Sequence, residues 1–270
     1  MSEVLRMELR KVLTTRMWWL LALLLLGYMA FLGAAMAFSL SGAEGGATLT
    51  GDSSAPPLAE RDVALSAYTL AASLGYVFPL VVGALSMTGE FRHQTITATL
   101  LAEPRRTRVL LAKLAAGLAV GLVHGVAGTL GAVLGGAPVL ALRDQPLFLG
   151  DGEVLTQLVF SVLALAVWAV IGVGLGTLLT NQVAAVVVIL AFTQFVEPIL
   201  RLGLTAVSAL EDVAKLLPGA AAEAMVGSSL YSASGLLDLL PRAGGTAVLL
   251  GYAALFAVLG RVTTLRRDIS

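Results

Sequence analysis

Residues 154–196 contain no charged side chain. A membrane helix needs about 20 largely apolar residues at about 1.5 Å rise each, so this run has the length of two spans. Its middle reads Thr180-Asn181-Gln182, three polar residues suited to a tight turn between antiparallel helices. The run is therefore read as a hairpin, 154–179 and 183–202. Three more uncharged windows, 17–43, 63–89 and 114–142, each hold one span, and 243–260 is just long enough for another. Charged residues are 13% of the chain against 58% hydrophobic, too little polar material to clothe a soluble domain of this size. The expectation is an all-α integral membrane protein. It forms one domain, 1–270, of six transmembrane helices at about 17–39, 64–87, 114–138, 154–179, 183–202 and 243–263.

Lysine and arginine set the orientation, because loops rich in them stay in the cytoplasm. Arg6, Arg10, Lys11 and Arg16 precede the first span. Arg92, Arg105, Arg106, Arg108 and Lys113 follow the second, and Arg261, Arg266 and Arg267 follow the last. In a six-span chain these twelve of the 17 basic residues share one side. Both termini are thus expected in the cytoplasm, with 88–113 a cytoplasmic loop and 40–63 and 203–242 external loops. Ala35-Met36-Ala37 could mark a signal-peptide cleavage site. The apolar run before it is longer than a usual h-region and five spans follow, so the first span is read as retained.

Val4, Leu5, Leu9, Val12 and Leu13 recur at helical spacing with charges between them, which predicts an amphipathic surface helix over 2–16. The plainer alternative is a charged tail. The stretch 41–62, rich in Gly, Ser, Ala and Pro, reads as a loop, whereas 204–241 reads as short helices, external or partly re-entrant. In the third span Gly117, Gly121, Gly125, Gly128 and Gly135 fall on one stripe, and Gly172 and Gly176 repeat the spacing in the fourth. Such ridges let helix backbones approach closely where lipid supplies no hydrophobic drive. Glu197 is an acid inside the fifth span, four residues before Arg201. The pair is either a functional intramembrane site or an anchor near the outer interface.

Chemistry of its own is not legible in the chain. Cysteine is absent, the only histidines, His93 and His124, lie at different depths, and none of the three lysines follows a glycine as a phosphate loop requires. No catalytic, metal or cofactor-binding residues are expected. A net charge of zero gives no reason to expect nucleic acid as a partner.

The most informative segment begins where the second span ends. It runs Glu90-Phe91-Arg92-His93-Gln94-Thr95-Ile96, reaches Leu100, turns at Pro104-Arg105 and arrives at Lys113. Residues 95–102 can form a short helix, which Pro104 ends. A positive loop alone explains the arginines but not this order of acid, threonines and proline. The segment resembles the first cytoplasmic loop of permease subunits of ABC transporters of the type-2 export family. Glu90, Arg92, Thr95, Ile96, Leu100, Pro104, Arg105 and Lys113 fit that pattern, while Gln94 stands where the family commonly has glycine. The N-terminal helix with Glu8, Arg10, Lys11 and Arg16, the six spans and Pro218-Gly219 extend the likeness over the whole chain.

The resemblance implies a six-helix permease that pairs with a second permease copy around a pathway, and low lysine with abundant Ala, Gly, Val and Leu points to a bacterial plasma membrane. Each copy would dock on a separate ABC ATPase subunit, which binds the ATP, through a coupling helix in 88–113. Membrane lipid is the remaining partner. Two other classes stay open at this point: a channel or ion-gradient-driven transporter, and a non-transporting anchor or assembly protein.

Overall fold

The computed structural model describes residues 2–42, 58–229, 232 and 238–264. Most of the first expected loop (43–57), part of the second (230–231 and 233–237), and Arg266 and Arg267 lie outside the described residues. Among the described residues the regular structure is helical throughout, without a strand, and six helices are long and apolar enough to cross a membrane.

Helix α1 (Ser2–Leu13) leads to α2 (Met17–Leu40), the first span. α2 buries one stripe, Ala22, Leu25, Met29, Gly33, Ala37 and Leu40, at helical spacing. Its other sides, with Leu23, Leu24, Phe31 and Phe38, are exposed apolar surface fit for lipid. The second span is two helices, α3 (Glu60–Tyr68) and α4 (Val77–Arg92), joined through a π turn at Ala71–Gly75. It starts earlier than expected from charge. Arg61 pairs with Asp151 at 3.1 Å and with Glu153 at 2.8 Å, fixing that end against the fourth span.

A short helix, α5 (Ile96–Ala102), precedes α6 (Arg106–Leu142), whose 37 residues extend about 56 Å. That far exceeds the roughly 30 Å hydrocarbon core. Helix therefore enters the expected loop 88–113 from both sides. α4 continues to Arg92 and α6 already begins at Arg106, so Arg106, Arg108 and Lys113 lie on helix and not in loop. Charge marks the edge of the membrane, but no glycine or proline interrupts 106–113 to end a helix there.

α7 (Gly152–Leu178) is the fourth span, with Asp151 capping it through Glu153 N–H at 2.8 Å. Asn181 likewise caps α8 (Gln182–Ala191) by accepting from Ala184 N–H at 3.0 Å. A π turn at Phe192–Val196 joins α8 to α9 (Glu197–Thr205), completing the fifth span. α12 (Arg242–Thr263) is the sixth.

The segment between them, 203–242, holds short helices, as its broken apolar runs lead one to expect. It contains α10 (Glu211–Ala214) and α11 (Pro218–Val226), and α11 is buried throughout. The Tyr252 hydroxyl, ten residues inside α12, donates to the Leu216 carbonyl at 3.1 Å, while Arg242 at the start of α12 reaches the Val226 carbonyl at 3.2 Å. The chain therefore dips back beside α12 and leaves again along α11. Backbone of this kind is tolerated at depth because protein surrounds it.

α6 is the central helix, and its glycine stripe serves two partners in succession. Gly117, Gly121 and Gly125 face Val173, Ala169 and Val162 of α7, while Gly131 and Gly135 meet the backbone of Leu26 and Ala30 on α2. Gly128 lies between Leu165 and Leu25, where the stripe passes from one partner to the other. Gly172 and Gly176 of α7 press on Leu80 and Ala84 of α4. A Cβ at position 125 would stand 2.5 Å from the Val162 carbonyl oxygen and 2.9 Å from its Cα, both backbone atoms that cannot rotate away. Gly125→Val is therefore expected to cost about 1–3 kcal/mol, read as a lower midpoint of thermal unfolding in detergent. Gly27→Val, where an added Cβ meets nothing within 4 Å, should change little. Equal losses at both positions would rule out close packing as the cause.

Candidate functional site

Among the described residues two buried charge clusters interrupt the apolar bundle, one at each end. At the end where α1, α5, the start of α6 and the end of α12 meet, α5 sits across α4 and α6. Its inner face is Ile96, Thr99 and Leu100, spaced as one side of a helix, and it packs on Met87, Phe91, Leu110 and Leu114. Thr95 precedes the first turn, and Glu103 leaves the helix with extended backbone before Pro104. Gln94, in the link from α4, has φ of 55°, a left-handed conformation that glycine enters without steric cost. The glycine common at this position in the resembling loops thus has a backbone reason, and here glutamine bears the strain.

Beneath α5 lies a four-charge network. Lys113 of α6 donates to Glu90 Oε1 at 2.5 Å and Glu8 Oε2 at 2.7 Å; Lys11 of α1 donates to Glu8 Oε1 at 2.7 Å and Glu90 Oε1 at 2.8 Å. Lys11 also reaches the Thr99 hydroxyl at 3.0 Å, and that hydroxyl lies 3.0 Å from Glu90 Oε2. Glu8, Glu90, Lys113 and Thr99 are buried. Burial by itself would lower the Lys11 pKa, but the hydrogen bonds and charges of Glu8 and Glu90 outweigh it and hold the ammonium above its ordinary value. Two ammoniums and two carboxylates cancel, so the cluster joins α1, α4, α5 and α6 without leaving a buried net charge.

The residues singled out in the sequence thus divide. Glu90 and Lys113 come together but point inward, as does Ile96. Leu100 is half-buried. Arg92, Thr95, Pro104 and Arg105 are exposed around the rim, with Arg92 donating to Gln182 Oε1 at 3.1 Å. The residue that stands out from this end was not singled out: Leu101 is 78% exposed, beside exposed Thr97, Ala98 and Ala102. The 96, 99, 100 spacing carries the signal, since it leaves 97, 98 and 101 on the opposite face.

The second cluster joins α9 to α11 at the opposite end. Arg201 donates to Glu197 Oε1 at 2.8 Å, as the i, i+4 spacing predicts, and also to Glu223 Oε2 at 3.0 Å. Glu197 Oε1 further accepts from Gly219 N–H at 2.6 Å, and Ser229 donates to Glu223 Oε2 at 2.5 Å. Gly219 has to be glycine for this approach, since a Cβ there would collide with Arg201 Nη2 and Glu197 Oε1. Glu223 was not foreseen, because nothing local brings α11 to the fifth span. No group of three or more His, Cys, Asp or Glu arranged to hold a metal occurs among the described residues.

A protein-family model described as ABC-2 family transporter protein matches residues 3–269. Among curated proteins, none matches the chain.

Proposed function

The chain belongs to the ABC-2 family of transporter membrane proteins, and from that premise we propose that it is the transmembrane subunit of an ATP-driven exporter. The observation that carries the reading is the exposed face of α5. Leu101 stands out from one end of the bundle on a helix whose other face is fixed to α4, α6 and α1. An exposed leucine on a short helix flanked in sequence by exposed Thr95, Arg105 and Arg108 is the composition of an interface core with a polar rim. A separate ATPase subunit seats there and supplies the ATP site that this chain lacks in sequence. Movement of α5 passes through Thr99 and Glu90 to Lys11 and Lys113, and so reaches α1 and the central helix together.

In this reading the α5 end is cytoplasmic and both termini lie there, as the basic residues require. α1 rests on the membrane surface. Two copies of the chain pair around the pathway, in the plasma membrane of a bacterium. A gradient-driven carrier would use intramembrane carboxylates free to change partners. Glu197 and Glu223 both hold Arg201, which favours a structural role for them.

Leu101→Asp tests the proposal. The protein is purified in mild detergent from its own host and co-purifying proteins are identified by mass spectrometry. Loss of a buried apolar anchor costs at least about 2 kcal/mol, so a bound ATPase should be retained roughly 30-fold less. The elution profile of the chain itself should not change, because Leu101 belongs to no internal apolar cluster. A wild-type chain without any ATPase, or undiminished retention by Leu101→Asp, would overturn the assignment of α5.

A further inference from the structure

A cavity of about 550 Å³ opens at the α5 end between α1, the first turn of α2, α4 and α6. Its origin is the way α2 meets α6. Gly131 and Gly135 hold α2 close at Leu26 and Ala30, whereas buried contacts on α2 begin only at Ala22. Met17 and Trp18, a turn earlier, line the open space instead. Its volume lies within the range of small-molecule sites.

The lining is graded with depth. Lys11, Glu8, Glu90 and Lys113 stand at one level, with His93 and Gln182 beside them. Val82, Leu85, Ala116, Gly117 and Val120 form the walls further in. Val120 is seven residues beyond Lys113, about 10 Å along the helix axis. A space polar at one end, apolar for that distance and set against lipid-facing helices matches an amphiphile, not a water-soluble solute. The charges at its rim are already paired with one another at 2.5–2.8 Å, and they cancel. They offer mixed signs without a surplus cation for an anionic group.

We infer that this cavity holds one acyl chain of a bilayer phospholipid whose headgroup is zwitterionic. The headgroup lies against the paired lysines and glutamates, and the chain lies along Val82, Ala116 and Val120 beneath the α1–α2 elbow. Trp18, which also lines the cavity, is the residue type that favours the boundary between headgroups and hydrocarbon. The inference needs only the fold and stands whether or not α5 docks an ATPase.

Gly89 allows a direct test. It lines the cavity, and a Cβ there meets nothing within 4 Å, so a larger side chain enters empty space without displacing backbone. Leucine is also the better helix former, which protects the fold. The purified chain is equilibrated with an equimolar mixture of phosphatidylethanolamine and phosphatidylglycerol in detergent, and retained lipid is read by native mass spectrometry. Wild type and Gly89→Ala should each retain one phosphatidylethanolamine, while Gly89→Leu should retain it about tenfold less, at unchanged elution. ATPase co-purification by Gly89→Leu, read on the same sample, should match wild type, which separates this inference from the exporter reading. No retained lipid, equal retention by Gly89→Leu, or preference for phosphatidylglycerol would overturn it.

Discussion

Arg201→Ala is expected to lower the stability of the chain by about 3–5 kcal/mol, the usual result of removing one partner from a buried ion pair. Glu197 and Glu223 are each 1% exposed, and Arg201 is the cation that both contact. Without it two carboxylates face each other away from water, with Gly219 N–H and the Ser229 hydroxyl as the donors to them seen among the described residues. Both belong to the segment that anchors α11, so the damage should appear as loss of the dip between the fifth and sixth spans. The measurement is the thermal unfolding midpoint in detergent. Arg201→Ala combined with Glu197→Gln and Glu223→Gln should recover much of the loss, because neutral amides remove the uncompensated charge while keeping the shape. An undiminished midpoint for Arg201→Ala would show that this network does not hold α11 in place.

Lys113→Ala is expected to cost less, about 2–3 kcal/mol, because Lys11 remains to compensate Glu8 and Glu90. Its second consequence is the more diagnostic one. Glu90 is held by both lysines and carries the Thr99 bond that fastens α5. With Lys113 removed, α5 should open locally far more often than the bundle unfolds. Arg105, exposed just after α5, reports this opening as faster tryptic cleavage. Equal cleavage rates for wild type and Lys113→Ala would mean that Ile96 and Leu100 alone hold the helix.

The spans were legible because lipid tolerates so few charges that their absence over about 20 residues is a strong signal. The ends of the helices were not, since Arg106 and Lys113 report where water begins and say nothing of where the backbone stops being helical. Close packing through Gly117, Gly121 and Gly125 could be read from spacing, but the change of partner beyond Gly128 depends on how α2 crosses α6. The Glu197–Arg201 pair followed from one helical turn of separation, whereas Glu223 is 22 residues from Arg201 and arrives by the dip of the chain. The inward direction of Glu90 and Lys113 was not legible either, since it depends on the packing of α1 against α4 and α6.

The two π turns have a further geometric consequence. Each is a helical turn closed one residue wider than α, so an added residue turns the sequence pattern by about 100° from one side of it to the other. In the second span the turn is Ala71–Gly75 and in the fifth Phe192–Val196, and the two spans touch where the Tyr76 hydroxyl donates to the Thr193 carbonyl at 3.4 Å. Both helices therefore change phase near one level of the bundle. On one side of that level α4 is keyed to α7 through Gly83, Gly172 and Gly176. On the other, Tyr68 is keyed to the Leu147 carbonyl and Thr69 to Ser228. The bundle is in effect two storeys sharing continuous columns, and each storey chooses its own inward-facing residues.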